Sequence, residues 1–216
     1  MKEVFRVAID GPSGAGKSTI AKSVAKRLGI DYIDTGAMYR AVGYKIKEEA
    51  IDIRDEKSLK TMLDNTDIDF VSGDIILDGR TVNDKIRTSA ISQMASQTSA
   101  IPMVREKLVE LQRSMGTKKS VIMDGRDIGT NVLKDAEYKF FLTASPEERA
   151  ERRHKELLEK GENISFEEVL EDIKKRDYND STRKLNPLRK ADDAISVDTT
   201  GLSVEAVIDC VLKEIK

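Results

Sequence analysis

The chain has 216 residues, of which 39% are hydrophobic and 35% charged: enough apolar residues for one core of ordinary domain size, in too many recurring runs for a disordered chain. Lys and Arg number 37 against 39 Asp and Glu, a formal net charge of -2, so no global field draws the molecule to nucleic acid or an anionic membrane, and any anion must be met by local clusters. The single cysteine, Cys210, excludes an internal disulfide and a cysteine-based zinc site, and its neighbours Val207, Ile208, Val211 and Leu212 predict a core thiol.

The first predicted element is a buried strand, Phe5-Arg6-Val7-Ala8-Ile9-Asp10. It begins within a few residues of Met1, leaving no room for a signal peptide, and no stretch approaches ~18 apolar residues, so the expected location is the cytoplasm. Next comes Gly11-Pro12-Ser13-Gly14-Ala15-Gly16-Lys17-Ser18-Thr19, which fits G-x-x-x-x-G-K-[ST] at every fixed position. Glycines let the backbone turn so tightly that several N–H groups point into one small volume, where a polyphosphate sits. In that motif Lys17 reaches the terminal phosphates and Ser18 holds magnesium. Ile20, Ala21, Val24, Ala25 and Leu28 then mark an amphipathic helix, whose N-terminus adds its dipole to the phosphate site.

Asp31-Tyr32-Ile33-Asp34 reads as a second short strand running into Thr35-Gly36-Ala37-Met38-Tyr39-Arg40. Polar groups at the carboxyl end of a parallel strand are placed to bind ligands, so Thr35 and Arg40 are candidates for contacting something anionic or polar; an ordinary turn followed by a solvated arginine is the other reading. Residues 41 to about 66 are predicted helical, with a polar break near Ile51-Asp52-Ile53. From Phe70 to Val82 short β-prone runs alternate with Ser72-Gly73-Asp74 and Asp78-Gly79, a small antiparallel meander that interrupts the βα pattern as an insert would. Ile86 to Ala100 is rich in Ser, Thr and Gln. Pro102 then opens a helix with Val104, Leu108, Leu111 and Met115 on one face and Arg105 at its start, where the dipole disfavours a cation unless an anion lies nearby.

Ser120-Val121-Ile122-Met123-Asp124 is a third buried strand ending in an acid, and an acid there is placed to orient magnesium through water. Arg126 and Asp127 follow at the same sheet end. Tyr138 to Leu142 and Ala194 to Asp198 supply the fourth and fifth strands, and strands separated by helical patterns imply a parallel sheet with helices on both faces. Between them Ser145, Pro146 and Glu148 form a helix start with a capping box, and the helix should run to Gly161. It carries Arg149, Arg152 and Arg153 on one face, either an anion clamp over the phosphates or a solvated charged face. His154, the only histidine, lies among these charges and reads as a surface residue. A further helix opens with the box Ser165 to Glu168 and carries Phe166, Val169, Leu170 and Ile173 on one side. It leads into Arg176-Asp177-Tyr178-Asn179-Asp180-Ser181-Thr182-Arg183, which lacks apolar periodicity and reads as a mobile loop or a recognition surface. A last helix, from about Ser203 to Ile215, reads as packing.

The phosphate loop, the Asp34 to Arg40 run, Asp124-Gly125-Arg126-Asp127-Ile128-Gly129-Thr130 and the Arg176 to Arg183 run occur in an order that resembles the bacterial cytidylate (CMP/dCMP) kinases over essentially the whole length. The resemblance implies a nucleoside monophosphate kinase fold of the α/β class, a P-loop NTPase core with a five-stranded parallel sheet flanked by helices. It implies a single domain over residues 1–216 with an NMP-binding part (about 35–105, carrying an antiparallel insert at about 66–98) and a helical lid (about 145–185). It further implies ATP as donor, Mg2+ as cofactor, CMP and dCMP as substrates and a monomer with no nucleic-acid or membrane partner. Gly11 to Thr19 resemble the ATP phosphate loop; Thr35, Arg40, Ser96, Arg105, Arg126, Asp127, Arg176, Asp180 and Arg183 resemble the CMP-contacting set; Ser18 and Asp124 fit the metal role. Lys17, Arg149, Arg152 and Arg153 are the expected catalytic charges. Thr35 stands where some members have Ser, which keeps the hydroxyl, and Ser18 where others have Gly, which adds a metal ligand. A kinase for another small acceptor is the nearest alternative. A nucleotide-dependent switch would want a guanine-reading Asn-Lys-x-Asp, which the sequence lacks.

Overall fold

A computed structural model describes residues 4–117, 119–159 and 161–215. The chain divides into two compact units, residues 1–32 with 119–216 and residues 33–118.

The first unit is built on a five-stranded parallel sheet. Its strands in chain order are β1 (Arg6–Asp10), β2 (Asp31–Asp34), β6 (Val121–Gly125), β7 (Tyr138–Thr143) and β8 (Ile195–Asp198), arranged β2-β6-β1-β7-β8. β1 is central: Ile9 lies opposite Asp124 of β6 and Phe140 of β7, which brings the carboxyl ends of three strands into line. Val7, Ala8 and Ile9 are wholly buried, as a strand covered on both faces requires. The chain leaves β1 toward β2 and later crosses from β6 to β7 on its other side, so the strand order reverses around β1, where open α/β sheets open a crevice for ligands.

Helices α1 (Lys17–Leu28) and α8 (Val204–Glu214) pack on the sheet through Ile20, Ala21, Val24, Val207, Ile208 and Val211. Each such large apolar side chain contributes about 1.5–3 kcal/mol on burial. Cys210 belongs to none of this: it is exposed, because it lies more than a quarter-turn around α8 from the centre of the stripe formed by Val207, Ile208 and Val211, and the predicted core thiol is corrected. Helices α6 (Pro146–Glu159) and α7 (Phe166–Thr182) pair through a small core of their own, Ala150, Leu157, Val169 and Ile173. After α6, Gly161 has φ +79; its N–H bonds the Leu158 carbonyl and that of Glu162 bonds the Leu157 carbonyl, the helix stop the glycine predicted. At the start of α6 the capping box is only half made. Ser145 accepts from the Glu148 N–H at 3.2 Å, but the Glu148 carboxylate turns to the Gly201 N–H and to Arg152. The capping box of α7, Ser165 with Glu168, is complete.

Two sequence expectations change here. Residues 176–182 continue α7 as helix without apolar periodicity, and within it the Ser181 and Thr182 hydroxyls donate to the Asp177 and Tyr178 carbonyls four residues back instead of competing for the helix N–H groups. His154 is half-buried: its Nε2 lies 2.9 Å from the Ile164 carbonyl and its ring meets Phe166 edge-on, so it packs α6 against the segment before α7.

The second unit contains α2 (Thr35–Glu48), α3 (Glu56–Asp64), α4 (Ser89–Thr98) and α5 (Pro102–Gly116) with an antiparallel sheet of β3 (Ile68–Val71), β4 (Asp74–Leu77) and β5 (Arg80–Thr81). Both hairpin turns hold two successive residues at positive φ, Ser72-Gly73 (54 and 88) and Asp78-Gly79 (49 and 76), the geometry that matches strand twist. α2 begins six residues before the predicted start because Asp34 caps it, accepting from the Ala37 N–H at 2.7 Å. The Ser/Thr/Gln-rich stretch holds α4, capped by Thr88, and Gly43 lets α2 approach its backbone: a Cβ there would lie 3.1 Å from the Ala95 nitrogen. Buried Lys45 ties α2 to the insert, donating to the Asn65 carbonyl at 2.7 Å and pairing with Asp78 at 2.6 Å.

Candidate active site

The phosphate loop leaves β1 through Gly11 and enters α1 through Gly16. A Cβ on Gly11 would stand 2.0 Å from the Leu142 carbonyl oxygen, so the loop turns where no side chain fits. Gly14 and Gly16 have φ +76 and +81, the left-handed region that aims consecutive N–H groups to one side. No side chain caps α1 and no acidic residue stands in its first turn, so the donors and the positive dipole end are left for an anion.

Lys17 is buried and donates to the Pro12 carbonyl at 2.7 Å. Burial first, then the Arg126 charge, push its pKa down to about 7 against the pull of Asp124, Asp10 and Asp180. Ser18 donates from Oγ to Asp124 Oδ2 at 2.9 Å, and the Tyr32 hydroxyl donates to Asp124 Oδ1 at 2.8 Å. A hydroxyl beside a buried carboxylate is an oxygen-only donor set, which suits Mg2+, a cation held by one or two protein oxygens with phosphates and water completing the shell. Among the described residues no group of three or more His, Cys, Asp or Glu could hold a metal.

Asp10, at the end of β1, accepts the N–H groups of Ile128 and Gly129, both at 2.8 Å. Burial pushes its carboxyl up to about 6 against those two hydrogen bonds. It thereby anchors the π-helical turn Ile128–Val132 that follows Arg126 and Asp127. Sequence reasoning passed over Asp10, although an acid closing an apolar strand is the same signal that picked out Asp124.

The three arginines of α6 take different places. The Arg149 guanidinium is almost wholly engaged: Nε donates to the Ala144 carbonyl, Nη1 to the Ser13 carbonyl at 2.9 Å, and Nη1 and Nη2 fork onto Asp177 at 3.1 and 2.6 Å. It joins the phosphate loop to α7. Arg152 lies close enough that a Cβ on Gly16 would be 3.9 Å from its Nη1, and it donates to Glu148 and to the Thr199 carbonyl. Arg153 pairs with Glu156 at 3.0 Å and lies near enough to Arg176 to oppose its charge. Asp177 escaped the sequence reading, since nothing in the Arg-Asp dipeptide reveals which way a helical carboxylate faces.

At the end of α7 the structure gathers five predicted residues. Arg126 Nε donates to Asp180 at 2.8 Å; Arg183 bridges Asp127 at 3.1 Å and Asp180 at 3.7 Å; Asn131 donates to Asp127 at 3.0 Å. Arg176, on the same helix, has its pKa lowered by burial, and although Asp172 works the other way, Arg153 and Arg126 oppose its charge. Burial works to lower the Arg126 pKa, but Asp180 together with Asp124 and Asp177 leaves it raised. Guanidiniums so close need an anion to share.

In the second unit, Thr35 and Arg40 sit in the first turns of α2, with Arg40 paired to Asp34 at 3.0 Å and its buried Nε unpartnered. Arg105 is 2% exposed, donates to the Ser99 carbonyl at 3.3 Å and lies 5.9 Å from the centroid of the Tyr39 ring. Ser96, half-buried on α4, is linked to it through Ser99, whose hydroxyl donates to the Ser96 carbonyl.

What β1, its loop and α1 share is provision for a polyphosphate, which places the molecule in the class of P-loop nucleotide-binding folds. The fold agrees: the shikimate kinase of Bacteroides thetaiotaomicron superposes with a TM-score of 0.51 at 14% identity over 99% of each chain. Within that class, residues 7–216 match the family model for cytidylate kinase. The cytidylate kinase of Clostridioides difficile (strain 630) is 54% identical over 209 residues, 97% of each chain, and that of Clostridium perfringens (strain SM101) 53% identical over 97% of this chain and 96% of its own. The chain belongs to the cytidylate kinase family.

Proposed function

We propose that this enzyme transfers the terminal phosphoryl group of ATP to CMP and dCMP, giving CDP and dCDP. The observation that carries this is the family match over residues 7–216 in a chain that builds its own phosphate cradle at Gly11 to Thr19. Phosphoryl transfer needs donor and acceptor in line and negative charge met on the equatorial oxygens, with little covalent work for the protein. The loop N–H groups and the α1 dipole hold the donor phosphates, and Lys17 meets the terminal ones. Arg152 and Arg153 add charge from α6, and Arg149 does so from beneath the loop. Mg2+, held by Ser18 and Asp124, supplies further neutralisation of the phosphates when bound. The acceptor oxygen belongs to a phosphate already ionised at neutral pH, so no strong general base is needed, in keeping with the packing role of His154.

CMP recognition is assigned to Thr35, Arg40, Ser96, Arg105, Arg126, Asp127, Arg176, Asp180 and Arg183, with Ser96, Arg105 and Arg126 toward the cytosine, Arg40 and Arg183 toward the phosphate, and Asp127, Asp180 and Arg176 toward the sugar. The division into an NMP-binding part, an insert and a lid that closes to exclude water belongs to the same proposal, as do a monomeric state and a cytoplasmic location. Among the described residues no helix is long and apolar enough to cross a membrane. The test is a coupled assay across CMP, dCMP, UMP, AMP and GMP. Preference for CMP and dCMP is expected, with activity lost in EDTA and restored by Mg2+; a clear preference for another acceptor overturns the proposal.

A further inference from the structure

Asp124 is 4% exposed, and its two carboxylate oxygens accept hydroxyls from two different segments: Oδ2 from Ser18 at the start of α1 and Oδ1 from Tyr32 in β2. A hydroxyl has one proton. Ser18, in giving its proton to Oδ2, turns its lone pairs away from the carboxylate, so the pair offers a metal the serine oxygen directly and the carboxylate behind it. That arrangement works only while the carboxylate keeps its plane, since rotation about Cβ–Cγ would carry Oδ2 away from Ser18. Tyr32 supplies the second fixed point. Its ring packs beside the core under α1, and its hydroxyl is held at 2.8 Å from Oδ1.

We infer that Tyr32 is a positioning residue for the magnesium site: by pinning Oδ1 it holds Asp124 in the plane that aims the Ser18 oxygen at the metal, and it touches neither metal nor nucleotide. The inference rests on the assignment of Ser18 and Asp124 to Mg2+ made above. Outer groups that orient a metal's ligands typically govern about 10- to 100-fold in metal affinity.

The test reads metal dependence of binding rather than turnover. Affinity for the non-hydrolysable analogue AMP-PNP is measured by calorimetry on the full chain, once with Mg2+ and once with EDTA, and the ratio of the two affinities is compared among variants. Tyr32→Phe, which removes one oxygen, is expected to lower that ratio about tenfold with the EDTA affinity unchanged. Asp124→Asn is expected to lower it further, and adding Tyr32→Phe to Asp124→Asn to change nothing more. A Tyr32→Phe ratio within twofold of the parent's, while Asp124→Asn collapses it, overturns the Tyr32 inference alone. An unchanged ratio in Asp124→Asn overturns the metal assignment beneath it. Equal losses from Tyr32→Phe in the parent and in the Asp124→Asn background show that the tyrosine acts through packing, and also overturn the inference.

Discussion

The phosphate loop and the end of α7 both prepare for phosphate, and they use different materials. The loop is backbone: glycines at +76 and +81, an uncapped helix start, and one buried lysine. The end of α7 is side chains: Arg126 and Arg183 held against Asp180 and Asp127, with Arg176 beside them. Backbone N–H dipoles crowd together at little electrostatic cost, so a loop of this kind can stand ready in its final shape. Guanidiniums cannot; without a ligand they need resident carboxylates, and a phosphate arriving there must share or displace them. On the proposed assignment the donor side is rigid in pairing, whereas the acceptor side must exchange partners when phosphate arrives.

The largest effect expected from breaking this contrast is on the loop. Lys17→Ala should lower turnover by about 10³-fold or more, because it removes the charge that meets the terminal phosphates in the transition state. CMP binding by calorimetry should stay within a few-fold, and near-normal turnover would show that the loop does not hold the donor. Next is Arg183→Met. It removes the Arg183 partner of Asp127, whose side chain is 8% exposed, and losing one partner of a buried pair costs about 3–5 kcal/mol. The lower end of that range is expected because Asn131 still donates to Asp127. Urea unfolding measures it, and adding Asp127→Asn should return part of the loss. A smaller effect, about tenfold, is expected for Asp177→Ala, which frees Arg149 from its fork while leaving its bond to Ser13. The loss should fall on the KM for ATP, with the KM for CMP unmoved. Equal changes in both would mean that α7 supports the two sides as one.

The same contrast explains what could be read in advance. A backbone-built site leaves its mark in contiguous residues, because spacing of glycines is geometry; Gly11 to Thr19 could be found, and so could the helix that follows. The sheet was legible for a similar reason, since strands buried on both faces are short apolar runs. The pairing at the end of α7 was not. Residues 176–182 carry no periodic apolar signal, so their helix is visible only once Ser181 and Thr182 are seen bonding back to the turn before. Asp177, Asp10 and Tyr32 went unread because their roles depend on partners 28, 118 and 92 positions away. Cys210 misled because apolar neighbours in sequence are not neighbours on a helix face.

The smallest expected effect sharpens the comparison through protons. With a pKa of about 7 in a buried site and an ordinary value of 10.5 in the unfolded chain, Lys17 leaves the native state binding fewer protons than the unfolded one between those values. Stability must then rise with pH across that window. Asp10 runs the other way: with a folded value of about 6 against 3.8, the native state holds the extra proton, and its contribution falls as pH rises from about 4 to 6. Together they place a shallow stability minimum near neutrality. A triphosphate in the loop restores the reason for Lys17 to be charged, so nucleotide binding should take up a proton above about pH 7, with the uptake falling away as pH drops below it. Calorimetry of AMP-PNP in two buffers of different ionisation enthalpy counts those protons, and Lys17→Met should abolish the uptake. CMP, met by guanidiniums that stay charged throughout this range, should show no comparable uptake at about pH 8. If it did, the acceptor side would be reaching Lys17 as strongly as the donor does, and the division between a backbone-built and a side-chain-built half would fail.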